Sequence, residues 1–322
     1  MSKRFKKLSH TIYECKYHIV CCPKYRHRIF KDEIKEYTKS QVYILCRQKD
    51  LVEVLELNIQ EDHIHKLRDF IEALSPGPFG SQIRFELIAS AIEDRKALRG
   101  LGTYGFIKNA PAFIIGASEP SEYHLEDFGF LLERIILYAT SLGLGTCWLG
   151  GTFSKSSFAE QIKLRHDEQM PAVAAIGQIA DPNQKRQGLV SRMARAQDRL
   201  HWKDLFFNYT AGVSLLPNEA GEYTAPLEMV RLAPSASNKQ PWRVITSNDS
   251  WHFYLQRTPG YRADPIKQVL RLCDLQRVDM GIAMCHFQLT TRELGLNGTW
   301  LIDKSLTHVP HSLGEYLVSW KY

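Results

Sequence analysis

No uninterrupted apolar run in the 322 residues approaches the roughly 18 that cross a bilayer. The best stretch, Phe128 to Gly151, is broken by Glu133 and Arg134. The basic start MSKRFKK lacks the apolar segment that follows in a secretory signal. A cytoplasmic protein without membrane contact is expected. Cysteine is sparse too: seven residues, an odd number, with no Cys-x-x-Cys pair. That excludes a disulfide scaffold and favours a reducing compartment. Cys15, His18 and Cys21 have a spacing that suggests zinc, but no second ligand pair accompanies them. Alternate faces of a strand account for them better. No acid/base pair stands out as a catalytic dyad.

What is present is unevenly spread. Residues 1–66 hold 14 Lys/Arg against 9 Asp/Glu, while the other 256 hold 27 against 26. The net charge of +6 therefore sits in the first fifth, where weak single-stranded DNA binding is conceivable and a solvated face is commoner. HTIYECKYHIVCCPKYRHRIF is β-rich up to Cys22-Pro23, Lys31 to Gln48 has helical spacing, and DLVEVLELNIQEDHIHKL alternates again. The predicted order is strand, helix, strand. On a strand His63 and His65 would point to one side, as a divalent metal site needs.

HTIYECKYHIVCCPKYRHRIF together with DHIH resembles the single-tyrosine HUH insertion-sequence transposases, ferredoxin-like metal nucleases of single-stranded DNA. The resemblance covers residues 9–65 and implies a metal pair at His63 and His65. Cys22 stands where that family usually has tryptophan. Nothing after Lys66 resembles the helix that carries the family's nucleophilic tyrosine, and without it no covalent intermediate forms. The expectation is an incomplete βαβ fragment with a vestigial metal pair.

The rest of the chain repeats itself. Asp127 to Leu149, DFGFLLERIILYATSLGLGTCWL, aligns without gaps on Asp279 to Leu301, DMGIAMCHFQLTTRELGLNGTWL, with eight of 23 positions identical at an offset of 152. PGPFGSQIRFELI from Pro76 aligns more loosely with PSASNKQPWRVIT from Pro234, placing Gln82 opposite Gln240. Each copy reads as turn, strand, connection, long helix ended by glycine, strand. PAFIIGAS and AVAAIGQI are continuous apolar runs of the buried-strand type. A repeat this long suggests two homologous halves fused in tandem.

LAPSASNKQPWRVI, including Arg243, resembles the first signature of the nitroreductase flavoproteins, and GLGTCWLGGTF resembles the second, a Gly-rich turn near the flavin ring. The two-copy arrangement matches a fused branch of that family. The resemblance covers about residue 67 to the C-terminus. It implies an α+β pseudo-dimer, most simply a monomer in solution, with FMN between the halves. It further implies NAD(P)H as co-substrate and a nitroaromatic, quinone or similar small-molecule acceptor. The expected units are 1–66, 67–205 and 206–322. Each signature survives in one half alone, so a single composite site is expected. The residues implied are Pro234, Ser235, Ser237, Asn238 and Gln240 with Gly143, Gly145, Thr146, Cys147, Gly150 and Gly151. Cys147 is expected to pack beside the ring.

The family's N-terminal Arg-x-Ser-x-Arg phosphate grip is missing. Arg192, Arg195 and Arg199 offer a replacement, with a plain charged helical face as the alternative. Loss of two charge-assisted contacts would weaken FMN by about 10²- to 10⁴-fold. The competing function is a transposase-related DNA-binding protein whose working part is the head.

Overall fold

The computed structural model describes residues 59–89, 110–150, 153–178, 198–208, 213–247, 249–261, 273–306 and 312–322. The predicted strand and helix of residues 9–58, the Cys15/His18/Cys21 group, Gly151, Arg192 and Arg195 lie outside them.

Helix α1 (Glu61–Glu72) precedes strands β1 (Ile83–Ala89) and β2 (Ala112–Ser118). Helix α2 (His124–Ser141), β3 (Leu144–Leu149), α3 (Lys155–Gln161) and β4 (Val173–Gln178) complete the first half. The second half contains β5 (Phe206–Phe207), α4 (Thr224–Leu232), β6 (Trp242–Thr246), β7 (Ser250–Leu255), α5 (Leu275–Glu293), β8 (Thr299–Leu301) and β9 (Glu315–Lys321). The α+β class is as expected, and both apolar runs are strands, β2 and β4.

The strands form two sheets. The first has the order β1-β2-β4-β3, all antiparallel. The second has β6-β7-β9-β8 in the same antiparallel arrangement, with β5 added parallel to the β6 edge. Strand β1 corresponds to β6, β2 to β7, β4 to β9 and β3 to β8, so the repeat in sequence is a repeat in topology. Strand β5 follows the first half yet pairs with the second sheet. Leu205, just inside the expected 67–205 unit, already accepts a hydrogen bond there from Val244 N.

Each long helix packs on its own sheet and on the other helix. Glycine makes this crossing close. A Cβ on Gly129 would lie 2.1 Å from the Val278 carbonyl oxygen, and one on Gly281 would lie 1.9 Å from that of Glu126. These four positions exchange under the 152-residue offset, so the contact has a local twofold relation. Gly143 and Gly295, at φ of 80° and 71°, stop the two helices as predicted, because glycine enters the left-handed region without a Cβ penalty. One apolar cluster fills the space between the sheets and includes Phe128, Trp148, Met280, Phe287 and Trp320. A second lies under α3 on the outer face of the first sheet, around Phe113, Phe153 and Phe158.

The strand expected to end at His63 and His65 is corrected. Both histidines lie on α1, which runs across Lys66 without interruption. Ile64, Leu67, Phe70, Ile71 and Leu74 have helical spacing and pack on the central core, with Leu67 fully buried. Phe70 stacks on Tyr138 of α2 at 4.1 Å. Burial of this stripe decides for helix. Residues two apart on a helix do not face each other, so the imidazoles diverge. His65 is exposed, 3.9 Å from Glu61. Among the described residues no group of three or more His, Cys, Asp or Glu could hold a metal. No helix among them is long and apolar enough to cross a membrane.

Candidate functional site

The loop 234–240 connects α4 to β6 and is tied down from both sides. Ala236 N donates to Asp279 Oδ1 on α5 at 2.8 Å. Within the loop, Asn238 N donates to Ser235 O at 2.9 Å, and Gln240 N to Ser235 Oγ at 2.8 Å. Segment 198–200 closes the other flank. Leu200 N donates to Gln240 Oε1 at 2.9 Å and Asn238 Nδ2 to Asp198 O at 2.7 Å. Arg199 Nη1 donates to Asn238 Oδ1 at 3.2 Å, and its Nε and Nη2 reach Leu232 O.

Three of the seven loop residues hold left-handed backbone without being glycine: Ser237 at φ 56°, Asn238 at 55° and Gln240 at 48°. Each such residue costs on the order of 1–3 kcal/mol and persists where surroundings over-determine it. Sequence reasoning missed this, since glycine, the usual marker of positive φ, is absent from the loop. The structure also divides the predicted residues by role. Pro234, Ser235 and Gln240 are buried, and the last two hold the loop. Ser237 and Asn238 are half-buried at its tip.

The second signature is mostly a strand and not the Gly-rich turn expected. Gly145, Thr146 and Cys147 pair with Gly177, Ile176 and Ala175 of β4. Thr146 is buried on the face that Trp148 presents to the central core. Cys147 packs against the outer cluster under α3, because strand alternation turns it away from Trp148. Gly143 serves as the helix stop. Gly150 comes closest to the other half: a Cβ there would lie 2.7 Å from Leu275 Cδ1.

Leu275 and Asp279 are one turn apart on the same side of α5. One carries the contact to Gly150 and the other the bond to Ala236. The two signatures, from opposite halves, thus converge on the start of one helix, within about 6 Å of rise. Asp274 caps that helix, accepting from Gln276 N at 3.2 Å, and pairs with Arg257 at 2.6 Å. Tyr261 OH accepts from Leu275 N at 2.9 Å. Complete burial holds the Asp279 carboxyl well above the usual carboxylate range. Asp279 was visible in the sequence as an identity between the repeats, but its partner was not.

The equivalent place in the other copy is built differently. Asp127, the counterpart of Asp279, accepts from Phe79 N at 3.0 Å and Ser81 N at 2.8 Å. Phe79 stacks on Tyr123 with ring centres 4.5 Å apart. Arg277 of α5 lies over Tyr123, 5.8 Å from its centre, and bonds to Glu122 O and Glu126. Burial pushes the Glu126 carboxyl up to about 7, against the pull of Arg277.

A family model described as "Putative TM nitroreductase" matches residues 54–291. The chain belongs to that family. The structure of a "putative nitroreductase (tm1586)" from Thermotoga maritima MSB8 superposes with a TM-score of 0.51 at 18% identity, covering 86% of this chain and 92% of that one. An FMN-dependent nitroreductase from Clostridium difficile R20291 gives 0.34 at 18% identity over 47% of this chain and 94% of that one. The head of this nitroreductase-family chain has a different relation. Residues 11–84 match the model "Transposase IS200 like", overlapping the first match between 54 and 84. The transposase of insertion sequence IS200 from Salmonella typhimurium is 40% identical over 74 residues, 23% of this chain and 48% of that protein. The ISDra2 transposase TnpA of Deinococcus radiodurans is 31% identical over 78 residues, 21% of this chain and 55% of that protein. The chain thus spans about half the length of the curated relatives it matches.

The residue types present, two polar loop tips and a glycine, fit an FMN ring edge. Loop 234–240 holds Ser237 and Asn238 on left-handed backbone, and Gly150 packs against Leu275, one turn from the Asp279 that holds the loop. Arg199 adds a guanidinium beside the loop, the charge a phosphate needs.

Proposed function

We propose that the chain is an FMN-dependent NAD(P)H oxidoreductase that reduces nitroaromatic or quinone-like acceptors, with one composite site between its halves. The observation that carries this reading is the convergence of loop 234–240 and Gly150 on Leu275 and Asp279. Ser237 and Asn238 would hold the cofactor from the second half and Gly150 with Gly151 from the first. Arg199, with Arg192 and Arg195 nearby in sequence, would take the phosphate. FMN, when bound, supplies the hydride exchange with NAD(P)H and acceptor. The protein's part is to fix the loop, exclude water at Gly150 and offer hydrogen bonds at the loop tip. The two halves act as a fused dimer in one chain.

The head, by this reading, is a transposase remnant joined to the body within residues 54–84. Divergence of His63 and His65 on α1 argues against a working metal nuclease there. Weak single-stranded DNA binding through the basic residues is the competing activity.

The test is flavin absorption of the purified chain and its melting temperature with added FMN. Selective binding to the folded state at 100 times Kd stabilises by about 2.7 kcal/mol. Colourless protein with no shift sinks the oxidoreductase reading. Metal-dependent nicking of single-stranded DNA, lost in the H63A/H65A double variant, would establish the alternative.

A further inference from the structure

We propose that the twin of the composite site is a second slot for a planar ring, closed in this chain by its own aromatic side chains. The two loops are related position by position. Pro76 and Gln82 correspond to Pro234 and Gln240, which puts Phe79 opposite Ser237. The 152-residue offset puts Tyr123 opposite Leu275 and Ile302 opposite Gly150. In the composite site these positions carry a half-buried serine at the loop tip, a leucine and a glycine. In the twin all three are larger or aromatic.

The backbone framework is the same in both. Asp127 and Asp279 each clamp their loop from the same level of the long helix. Glycines let the helices cross with the same closeness on either side. What differs is the content. Phe79 lies near-parallel to Tyr123, 26° between planes at 4.5 Å, the separation and tilt of a stacked pair. Arg277 covers Tyr123, and Ile302 packs on the core at the position where Gly150, without a Cβ, fits closely against Leu275. An aromatic ring from the chain stands at the loop position where the other copy has the small, half-buried Ser237. The chain therefore takes one planar ring ligand, and removal of the plug creates a second position.

That the composite slot takes a ring rests on the proposed flavin function; the plug does not. Equilibrium dialysis with lumichrome, an uncharged three-ring flavin fragment without ribityl phosphate, counts ring slots independently of the phosphate grip. The full chain is compared with Phe79→Ala, and with Tyr123→Leu, which installs the residue found at the equivalent position and serves if the alanine variant fails to fold. One site in the parent and two in a folded variant are expected. Two sites in the parent, or one in both folded variants, overturn the plug. No site in the parent overturns the flavin reading. In that case one site in a variant still upholds the plug, and none overturns it.

Discussion

Loops 76–82 and 234–240 occupy equivalent places in the two halves and are built in opposite ways. Each leads into the equivalent strand of its sheet, β1 or β6, and both are held by an aspartate of the long helix. Loop 76–82 relaxes its backbone with Gly77 and Gly80 and spends its tip on Phe79, stacked on Tyr123. Loop 234–240 keeps its tip small and polar and holds three non-glycine residues in left-handed backbone. Strain at one copy and internal stacking at the other are the two outcomes of one architecture. The comparison teaches that two halves of like topology can share a frame while their loop tips differ in chemistry.

The largest effect is expected at the frame. Gly129→Ala and Gly281→Ala each drive a Cβ into a helix carbonyl that cannot move away, at a cost of about 3 kcal/mol. Denaturant unfolding should give similar values for the two, and a large inequality would break the twofold relation. Next are the clamps. Asp127→Asn removes one of two acceptors that hold loop 76–82, costing roughly 1–2 kcal/mol. Burial raises the Asp279 carboxyl well above the usual carboxylate range, and its contact with the loop, from Ala236 N to Oδ1, is one an asparagine oxygen can also accept. Asp279→Asn should therefore cost less than Asp127→Asn, below about 1 kcal/mol. An equal loss would contradict this difference between the clamps.

Two carboxylates of the first half set opposite pH slopes. The Arg84 guanidinium holds Glu168 down at about 2. A depressed carboxylate stabilises the fold above its unfolded value and loses that contribution as pH falls, here from about 4.5 towards 2. Glu168→Gln should flatten the acid limb of a melting-temperature profile. Glu126 is raised to about 7, so its folded form favours the proton and stability declines as pH climbs from about 4.5 to 7. Glu126→Gln should remove that decline. Smallest of all, His63→Ala with His65→Ala should change stability by less than about 0.5 kcal/mol, since neither imidazole carries a packing stripe. A larger loss would restore a structural role to the pair.

The body was legible because its signals are dense. A wide apolar stripe, a glycine stop and two continuous apolar strands leave little choice of element, and an identical Asp, Gly and Leu-Gly-Leu mark the repeat. The expectation of a single composite site rested on which motif each half retains. His-x-His was misread because alternation over a few residues does not separate strand from helix; burial of Leu67, with Ile64 and Ile71 packed beside it at helical spacing, does. The strand Leu144–Leu149 was hidden by a glycine-rich string that suggested a turn, whereas Gly145 is an ordinary strand residue opposite Gly177. Positive φ at Ser237, Asn238 and Gln240 has no composition marker. The Phe79–Tyr123 stack depends on a contact across 44 residues that no local pattern announces.

The central claim is one FMN site composed from both halves. Titration of the full chain with FMN, read as melting temperature against molar ratio, tests it most directly. The account predicts a stabilising shift that saturates at one FMN per chain and is lost in Gly150→Val, where a branched side chain would meet Leu275. Saturation at two per chain, an undiminished shift in that variant, or no shift at any ratio would contradict it.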